Sequence, residues 1–263
     1  MDNILLKKLN NMPGQTFRLP SRGLPYKNGE LRDEVVNGEV VVFPMTTLDE
    51  IYLKTPDMLF QGTAVEKVIS SRIPQILKPK DLLAKDVDYL LTCLRKVSYG
   101  DELLINYTCD TCENPKKTEY NININTFLQK SGELNEINEN ILMVDVDNFM
   151  FKFKFVKFDD IIKMNQSDED KSPDGVYKNL INTISLNIES VDDVTNQDII
   201  REFISGCNVQ FQNKILDNIS KLNQWGVEFT ASIECKHCKQ LKTFPIALNP
   251  VSFFTLPSNQ KTL

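Results

Sequence analysis

The sequence predicts an α+β fold made of two pseudo-repeats. Each half of the 263-residue chain reads as a β segment, then helices, and then a β-hairpin tipped by a Cys-x-x-Cys pair. Strands and helices that are grouped in this way, without strict alternation, are typical of the α+β class. The predicted organisation is a leader (1–37), a first repeat (38–125), a linker (126–147), a second repeat (148–249) and a C-terminal tail (250–263).

The two repeats are inferred from landmarks that keep a constant spacing. The β-type runs that begin at Gly38 and Asn148 both end in an apolar residue followed by two acids, at an offset of 110 residues. A glycine, a glutamate and both cysteines of a pair between residues 100 and 112 recur between residues 226 and 238, at an offset of 126. The change of offset predicts an insertion of 16 residues in the second repeat.

Apolar side chains at helical spacing predict the helices of each repeat. In the first repeat, a short helix covers 64–73, and a second helix begins at about Asp86 and is closed by Gly100. The second repeat has three such patterns, which are 174–188, a helix capped by Thr195, and a helix that ends before Gly226. The extra helix of the second repeat accounts for its insertion.

Composition and charge limit the classes of protein that the chain can belong to. The net charge of −6 and the pI of about 5.0 argue against nucleic acid as the main partner, because a protein that binds phosphate backbones usually carries a basic surplus. The first apolar run is three residues long, too short for a signal peptide, and no run approaches the roughly 18 apolar residues that span a bilayer. We therefore expect the protein to be made in a cytosol, without a membrane partner and with reduced thiols.

The two Cys-x-x-Cys pairs are the strongest functional signal in the sequence. Strand-like runs flank both pairs, so each pair lies at the tip of a hairpin, as in the knuckles of zinc ribbons. One knuckle supplies two thiolates, whereas a structural zinc ion needs four ligands in a tetrahedron. The sequence therefore predicts one structural Zn²⁺ per chain, in a zinc-ribbon-like site that joins the two repeats, with four ligands: Cys109, Cys112, Cys235 and Cys238.

Other interpretations of the cysteines are weaker. A redox-active Cys-x-x-Cys pair normally opens a helix, which neither pair does, and a disulfide within each pair is disfavoured in a reducing cytosol. His237, inside the second knuckle, is expected to be an exposed turn residue, while Cys93 is expected to be buried and Cys207 has no close cysteine partner. Lysines near both knuckles could offset the charge of four thiolates: Lys116, Lys117, Lys236, Lys239 and Lys242.

The sequence lacks the motifs of common enzymes. It has no GxxxxGK[ST] loop and no GxGxxG after a strand, and its one histidine lies in a knuckle, so it offers no base for Ser–His–Asp or Cys–His catalysis. Four thiolates also leave zinc no open position. We therefore predict a non-enzymatic protein with no catalytic residues and no small-molecule substrate.

Pairs of neighbouring acids are the remaining candidates for catalysis. Pairs at 49–50, 159–160 and 192–193 are expected to be surface charges or helix N-terminal charges, and the acidic run 167–170 is expected to be a solvated loop. A hydrolase would require a deep pocket that holds two of these carboxylates.

Several segments of the leader and the first repeat resemble a known family. The most specific are Pro-Ser-Arg-Gly at 20–23 and Pro-Met-Thr-Thr-Leu-Asp-Glu at 44–50, which are followed by Ser-Tyr-Gly at 98–100 and the first Cys-x-x-Cys pair. In this order they resemble the baseplate hub and hub-assembly proteins of T-even-like contractile-tailed bacteriophages. The resemblance covers residues 15–125 and, more weakly, the rest of the chain, and it brings no catalytic residues with it.

The resemblance implies a role in building the central hub of the tail baseplate, as a virion subunit or as an assembly factor. The implied partners are other baseplate hub proteins, and the implied locations are the host cytoplasm during assembly and the virion tail baseplate. The residues themselves leave open a second hypothesis, a zinc-ribbon nucleic-acid-binding or transcription adaptor, which would expose aromatic rings such as Tyr107 or Tyr120 beside clustered lysines. Phe253 and Phe254 could dock a partner, but we expect them to cover the core of the second repeat.

Overall fold

The computed structural model describes residues 13–112, 116–134, 142–165, 172–246 and 253–254. Helices and small antiparallel sheets make up these residues, which confirms the α+β class. The strands are β1 (Gln15–Arg18), β2 (Glu39–Val42), β3 (Glu102–Thr108), β4 (Lys117–Asn123), β5 (Met143–Val146), β6 (Phe149–Phe153), β7 (Ile188–Val191), β8 (Thr230–Glu234) and β9 (Leu241–Pro245). The helices are α1 (Thr47–Lys54), α2 (Pro56–Phe60), α3 (Thr63–Arg72), α4 (Ala84–Tyr99), α5 (Asn125–Gln129), α6 (Phe158–Asn165), α7 (Pro173–Leu186), α8 (Gln197–Gly206) and α9 (Val209–Leu222), with a 3₁₀ turn at Pro79–Asp81.

The first half is organised around α4, whose apolar face is buried except for the half-buried Val97. The described part of the predicted leader is attached to this half, because β1 pairs antiparallel with β2. A buried carboxylate on α4 fastens the loop that follows β1: Asp86 accepts a hydrogen bond from the backbone N–H of Ser21 at 3.1 Å and another from the Tyr26 hydroxyl. The Pro-Ser-Arg-Gly turn is therefore held against the first turn of α4.

The Pro-Met-Thr-Thr-Leu-Asp-Glu segment forms the start of α1. Thr46 and Asp49 make a capping box, in which each side chain accepts a hydrogen bond from the backbone N–H of the other residue. Asp49 is buried and also pairs with Arg72 at 3.0 Å. This carboxylate is thus a cap, as expected for an acid at a helix N-terminus.

The second half has its own sheet and its own core. Strands β5, β6 and β7 form an antiparallel sheet in that order. Three helices, α7, α8 and α9, cover it and bury a cluster that includes Phe151, Ile204 and Ile215. In the second half β7 and α8 lie between α7 and α9, where the first half has only a 3₁₀ turn between α3 and α4. The first half also has α2 between α1 and α3, whereas residues 166–171 between α6 and α7 lie outside the described residues. This position agrees with the expected insertion, and the duplication itself stays a prediction.

Two details of the predicted helices are wrong. The predicted helix 174–188 ends at Leu186, and β7 begins at Ile188 because the chain returns to the sheet beside β6. The cap of α8 is Asn196 rather than Thr195, since the Asn196 side chain accepts from the N–H groups of Asp198 and Ile199 at 2.9 and 3.3 Å. The acidic run 167–170 lies outside the described residues.

The second knuckle hairpin belongs to the core of the first half. Ala231 and Ile233 of β8 are buried in the same cluster as the apolar face of α4. Phe253 and Phe254 are buried there too, which corrects the expectation that they cover the core of the second repeat. The backbone carbonyl of Phe253 accepts a hydrogen bond at 2.8 Å from Arg95, an arginine of α4 that is itself 1% exposed.

A small third cluster lies where the two halves meet. It consists of Leu83, Leu134 and Trp225. Backbone hydrogen bonds connect the same region, from Ala84 to the carbonyl of Val156 at 2.9 Å and between Gly132 and Gly226 in both directions at 2.8 and 3.1 Å. The two cores therefore remain separate, and short backbone bridges join them.

Candidate metal centre

Two antiparallel hairpins carry the cysteine pairs. β3 pairs with β4 over seven residues of each strand, and β8 pairs with β9 over five. Cys109 directly follows β3 and Cys235 directly follows β8, so both pairs lie at hairpin tips as predicted. The second tip is closed by hydrogen bonds from the N–H of Cys235 to the carbonyl of Gln240 and from the N–H of Lys239 to the carbonyl of Cys235, both 2.9 Å.

Aromatic side chains hold the two hairpins against each other. Tyr107 of β3 stacks on Phe244 of β9, with ring centroids 4.2 Å apart and planes 10° from parallel. Tyr120 of β4 is buried, and its hydroxyl accepts a hydrogen bond from the backbone N–H of Lys236 at 3.1 Å. These contacts hold the two tips side by side.

The four predicted ligand residues form one cluster. The Sγ atoms of Cys109, Cys112, Cys235 and Cys238 all lie within 4.8 Å of one another. The Sγ distances between the hairpins are 3.8 Å for Cys109 and Cys238 and 3.7 Å for Cys112 and Cys235. A disulfide needs sulfurs about 2.05 Å apart, so these are thiols, and the arrangement could bind a metal ion.

Two polar side chains beside the cluster were not predicted. The Thr111 hydroxyl lies 3.3 Å from Cys109 Sγ and donates to Oε1 of Gln240 at 3.0 Å, which ties the first knuckle to the second. A hydroxyl residue between the cysteines of a knuckle is visible in the sequence, but its partner on the other hairpin is not.

Hydrogen bonds and burial separate the acidities of the thiols. Hydrogen bonds from the backbone N–H groups of Cys238 and His237 lower the pKa of Cys235 to about 6. The hydroxyl and the N–H of Thr111 lower the pKa of Cys109. Burial and the neighbouring side chains of Cys109 and Cys235 raise the pKa of Cys112 to about 12. Four thiolates at this spacing repel one another, so all of them can be ionised together only around a cation.

Two of the lysines near the knuckles contact groups other than the sulfurs. Lys242 pairs with Asp110 at 3.0 Å, and its own pKa is raised by that carboxylate and, to a smaller degree, by Cys109. Lys236 donates to the backbone carbonyl of Glu119 at 2.7 Å and lies over the Tyr120 ring. Their positive charges remain close to the cluster, while their direct contacts connect one hairpin to the other.

The other cysteines and the histidine lie where they were expected. His237 is exposed, and its Nε2 is 3.3 Å from the Thr118 hydroxyl of the other hairpin. Cys93 is fully buried in α4, and burial raises its pKa well above the usual range. Cys207 is half-buried and donates to the carbonyl of Phe203.

The paired acids have structural partners. Asp160 accepts from the N–H of Lys157 at the start of α6, and Asp192 accepts from the N–H of Met150 in the neighbouring strand. Together with the Asp49 cap, these contacts use one acid of each of the three pairs in capping or sheet pairing.

The fold and the cysteine cluster define an α+β protein whose two hairpins present one possible metal site. A family model described as "T4 bacteriophage base plate protein" matches residues 36–255. Because the match covers most of the chain, the protein belongs to this family of phage baseplate proteins. Comparison with curated proteins and with solved structures gave no match. In the described part of the chain, no helix has the length and apolar character needed to cross a membrane.

Proposed function

We propose that the four cysteines bind one structural zinc ion per chain. The spacing of the sulfurs supports zinc: four Zn–S bonds of about 2.3 Å in a tetrahedron separate the sulfurs by about 3.8 Å, and the distances between the hairpins are 3.7 and 3.8 Å. When bound, zinc would supply a fixed link between the thiolates of the two knuckles. The chain's own residues orient those thiolates, through the knuckle N–H groups and the Thr111 hydroxyl.

We further propose that the protein is a non-enzymatic structural or assembly component of the phage tail baseplate hub. Family membership supports a place in the baseplate, where other baseplate proteins are the partners. Four thiolates would occupy every position of a tetrahedral ion and leave none for a substrate. On this proposal the protein works through its surfaces, in the host cytoplasm during assembly and in the tail of the virion.

The nucleic-acid adaptor hypothesis gains no support from the hairpins. Tyr107 and Tyr120 would have to be accessible to stack on bases. Tyr107 instead stacks on Phe244, and Tyr120 is buried between the hairpins. We therefore keep the baseplate proposal as the single function.

Metal analysis of the purified chain tests the zinc proposal. We expect one zinc per chain, lost when either cysteine pair is replaced by serine. The matched control is Cys207→Ser, a cysteine outside the cluster, which should keep its zinc. Two metal ions per chain, or zinc that survives the loss of a whole pair, would contradict a shared site.

The hub proposal is tested in infected cells. A phage in which the gene is disrupted should accumulate baseplate parts that lack the central hub, as seen by electron microscopy of the assembly products. Quantitative mass spectrometry of finished virions then separates a virion subunit from an assembly factor. Complete baseplates formed without the protein would refute the proposal.

A further inference from the structure

One edge of β3 is not paired with any strand in the described part of the chain. The other edge pairs with β4, and just beyond this pairing the N–H of Ile124 donates to the carbonyl of Asp101 at 2.8 Å. Hydrogen-bonded and non-hydrogen-bonded residue pairs alternate along an antiparallel ladder. The N–H and carbonyl groups of Leu104 and Asn106 therefore face away from β4, toward the unpaired edge.

This edge lacks the features that usually block an exposed strand. No described residue makes a backbone hydrogen bond to Leu104 or Asn106 on this side. Exposed edges are commonly blocked by lysine, proline or a covering segment, because their free groups can pair with another chain. The sequence of β3, Glu-Leu-Leu-Ile-Asn-Tyr-Thr, contains neither lysine nor proline. By contrast, β9 ends in Pro245, and the carbonyl of Glu119 on the outer edge of β4 accepts from Lys236 at 2.7 Å.

A groove of about 390 Å³ runs beside the free edge of β3. Residues 103–107 of β3 line one side of it, and residues 244–246 and Phe253 line the rest of its wall. The carbonyl of Glu102, just before the groove, already accepts a hydrogen bond from Arg95 at 2.7 Å. Pairing along this edge would therefore begin after Glu102, inside the groove.

We propose that β3 pairs through this edge with an extended segment of a partner protein, which lies in the groove as an added strand. Leu104 and Asn106 each offer one N–H and one carbonyl, and these groups repeat along the edge at about 7 Å. An extended polypeptide carries matching groups at the same repeat. Addition of a strand to an exposed sheet edge is an established mode of peptide recognition.

The groove also selects the side chains of the added strand. Successive side chains of a strand point to opposite faces of a sheet. Alternate side chains of the added strand would face the wall formed by Phe244, Ile246 and Phe253, on the side where Ile105 of β3 packs against the first core. The partner segment is therefore apolar at every second position.

Net charge disfavours a second copy of this chain as the occupant. Each chain carries a net charge of −6, and a net charge of this size opposes self-association. We therefore assign the groove to a different protein. That this partner belongs to the baseplate rests on the proposed function, whereas the strand pairing rests on the edge of β3.

Exchange of single amide hydrogens, followed by NMR of the ¹⁵N-labelled full-length protein with its metal content measured, tests the pairing. Without a partner, the amides of Leu103 and Ile105 should be protected by β4, and those of Leu104 and Asn106 should exchange quickly. The probe is the peptide acetyl-Lys-Thr-Val-Thr-Val-Lys-amide, in which every second central residue is apolar. At saturation it should slow exchange at Leu104 and Asn106 by about tenfold or more.

Two isomeric peptides separate backbone pairing from side-chain contact. One isomer carries N-methyl groups on both threonines, and the other carries them on both valines. The N–H groups of successive strand residues face opposite edges, so methylation removes the hydrogen bonds to β3 in one isomer and spares them in the other. We expect their affinities for the wild-type chain to differ by about tenfold or more.

Matched proline variants locate the binding edge. Asn106→Pro removes an N–H that faces away from β4, a position where an edge strand tolerates proline. The control is Ser232→Pro on β8, because Ser232 is also exposed and its N–H faces away from β9. Asn106→Pro should weaken peptide binding about tenfold or more, and Ser232→Pro should leave it unchanged.

Four outcomes would overturn the inference. Slow exchange at Leu104 and Asn106 in the free protein would show that the edge is already covered. Equal affinities of the two methylated isomers, or equal effects of the two proline variants, would show that pairing with β3 plays no part. A wild-type dimer that Asn106→Pro dissociates would assign the edge to a second copy.

The isomer comparison uses the wild-type chain, so it does not depend on whether a proline variant folds. Because these measurements need neither phage nor partner, a negative result leaves the zinc and baseplate proposals standing. Failure of either of those proposals would likewise leave a positive result for strand pairing standing.

Discussion

The two halves of the chain differ in which segments complete their hydrophobic cores. The second half buries its own sheet under α7, α8 and α9 and is complete by Leu222. The core of the first half is completed from far along the sequence, by β8 and by Phe253 and Phe254. The cysteine cluster therefore joins two hairpins that already share one core. A metal ion there would stabilise the first core and would not act as a hinge between the two cores.

The largest expected effect is a difference in amide hydrogen exchange between the two cores when the metal is lost. In Cys109→Ser/Cys112→Ser, the hairpin amides of β3, β4, β8 and β9 should exchange with deuterium about tenfold faster or more, because metal binding contributes directly to folding. Amides of β6 and α9 should keep their protection. Hydrogen-exchange mass spectrometry measures both, with Cys207→Ser as the control, and equal loss in both cores would contradict the comparison.

Truncation of one ring in each core should be equally costly but should differ in its effect on metal retention. Phe254→Ala and Phe151→Ala each remove a fully buried ring and should lower the free energy of unfolding by about 3–5 kcal/mol. Only Phe254→Ala should speed zinc release to a colorimetric chelator under native conditions. Faster release from Phe151→Ala would mean that the two cores are coupled.

The pH dependence of stability should arise in part from α4 of the first core. Burial raises the pKa of Asp86 from 3.8 to about 6, so the folded state binds the proton more tightly than the unfolded state. The free energy of unfolding should then fall as pH rises from about 4 to 6, by up to about 3 kcal/mol for this group. Burial raises the pKa of Asp88 to about 6 as well, so Asp86→Asn should remove only part of the slope.

Urea titrations of wild type and Asp86→Asn at several pH values measure that contribution. Their difference isolates Asp86 from any loss of metal in acid, because both proteins carry the same cysteines. A difference that does not change with pH would show that Asp86 does not titrate in this range.

The smallest expected effects come from helix caps, one in each half. Thr46→Ala removes the capping box of α1, and Asn208→Ala removes the side chain that accepts from the N–H of Phe211 at the start of α9. Each should cost about 1 kcal/mol in urea unfolding. Neither should alter zinc release, and a change in release from either variant would show that local fraying reaches the metal centre.

The sequence predicted the clustering of the four cysteines better than the packing around them. The equal spacing of the two Cys-x-x-Cys pairs, with strands on both sides, was enough to predict that the four cysteines lie together. Alternation in β8 marks Ala231 and Ile233 as inward-facing, but a two-residue period does not say which core they enter. The apolar character of Phe253 and Phe254 likewise does not say which core they enter, and they lie in the core of the first half instead of the second. Contacts such as that of Thr111 with Gln240 depend on how the hairpins pack, which local patterns do not encode.

The central claim is that one zinc ion is bound by four sulfurs from two hairpins. X-ray absorption at the zinc edge of the purified full-length protein tests it most directly. The expected result is one zinc per chain surrounded by four sulfurs at about 2.3 Å, without nitrogen or oxygen ligands. A shell with fewer sulfurs, or cysteines oxidised to disulfides in place of a metal ion, would contradict the claim.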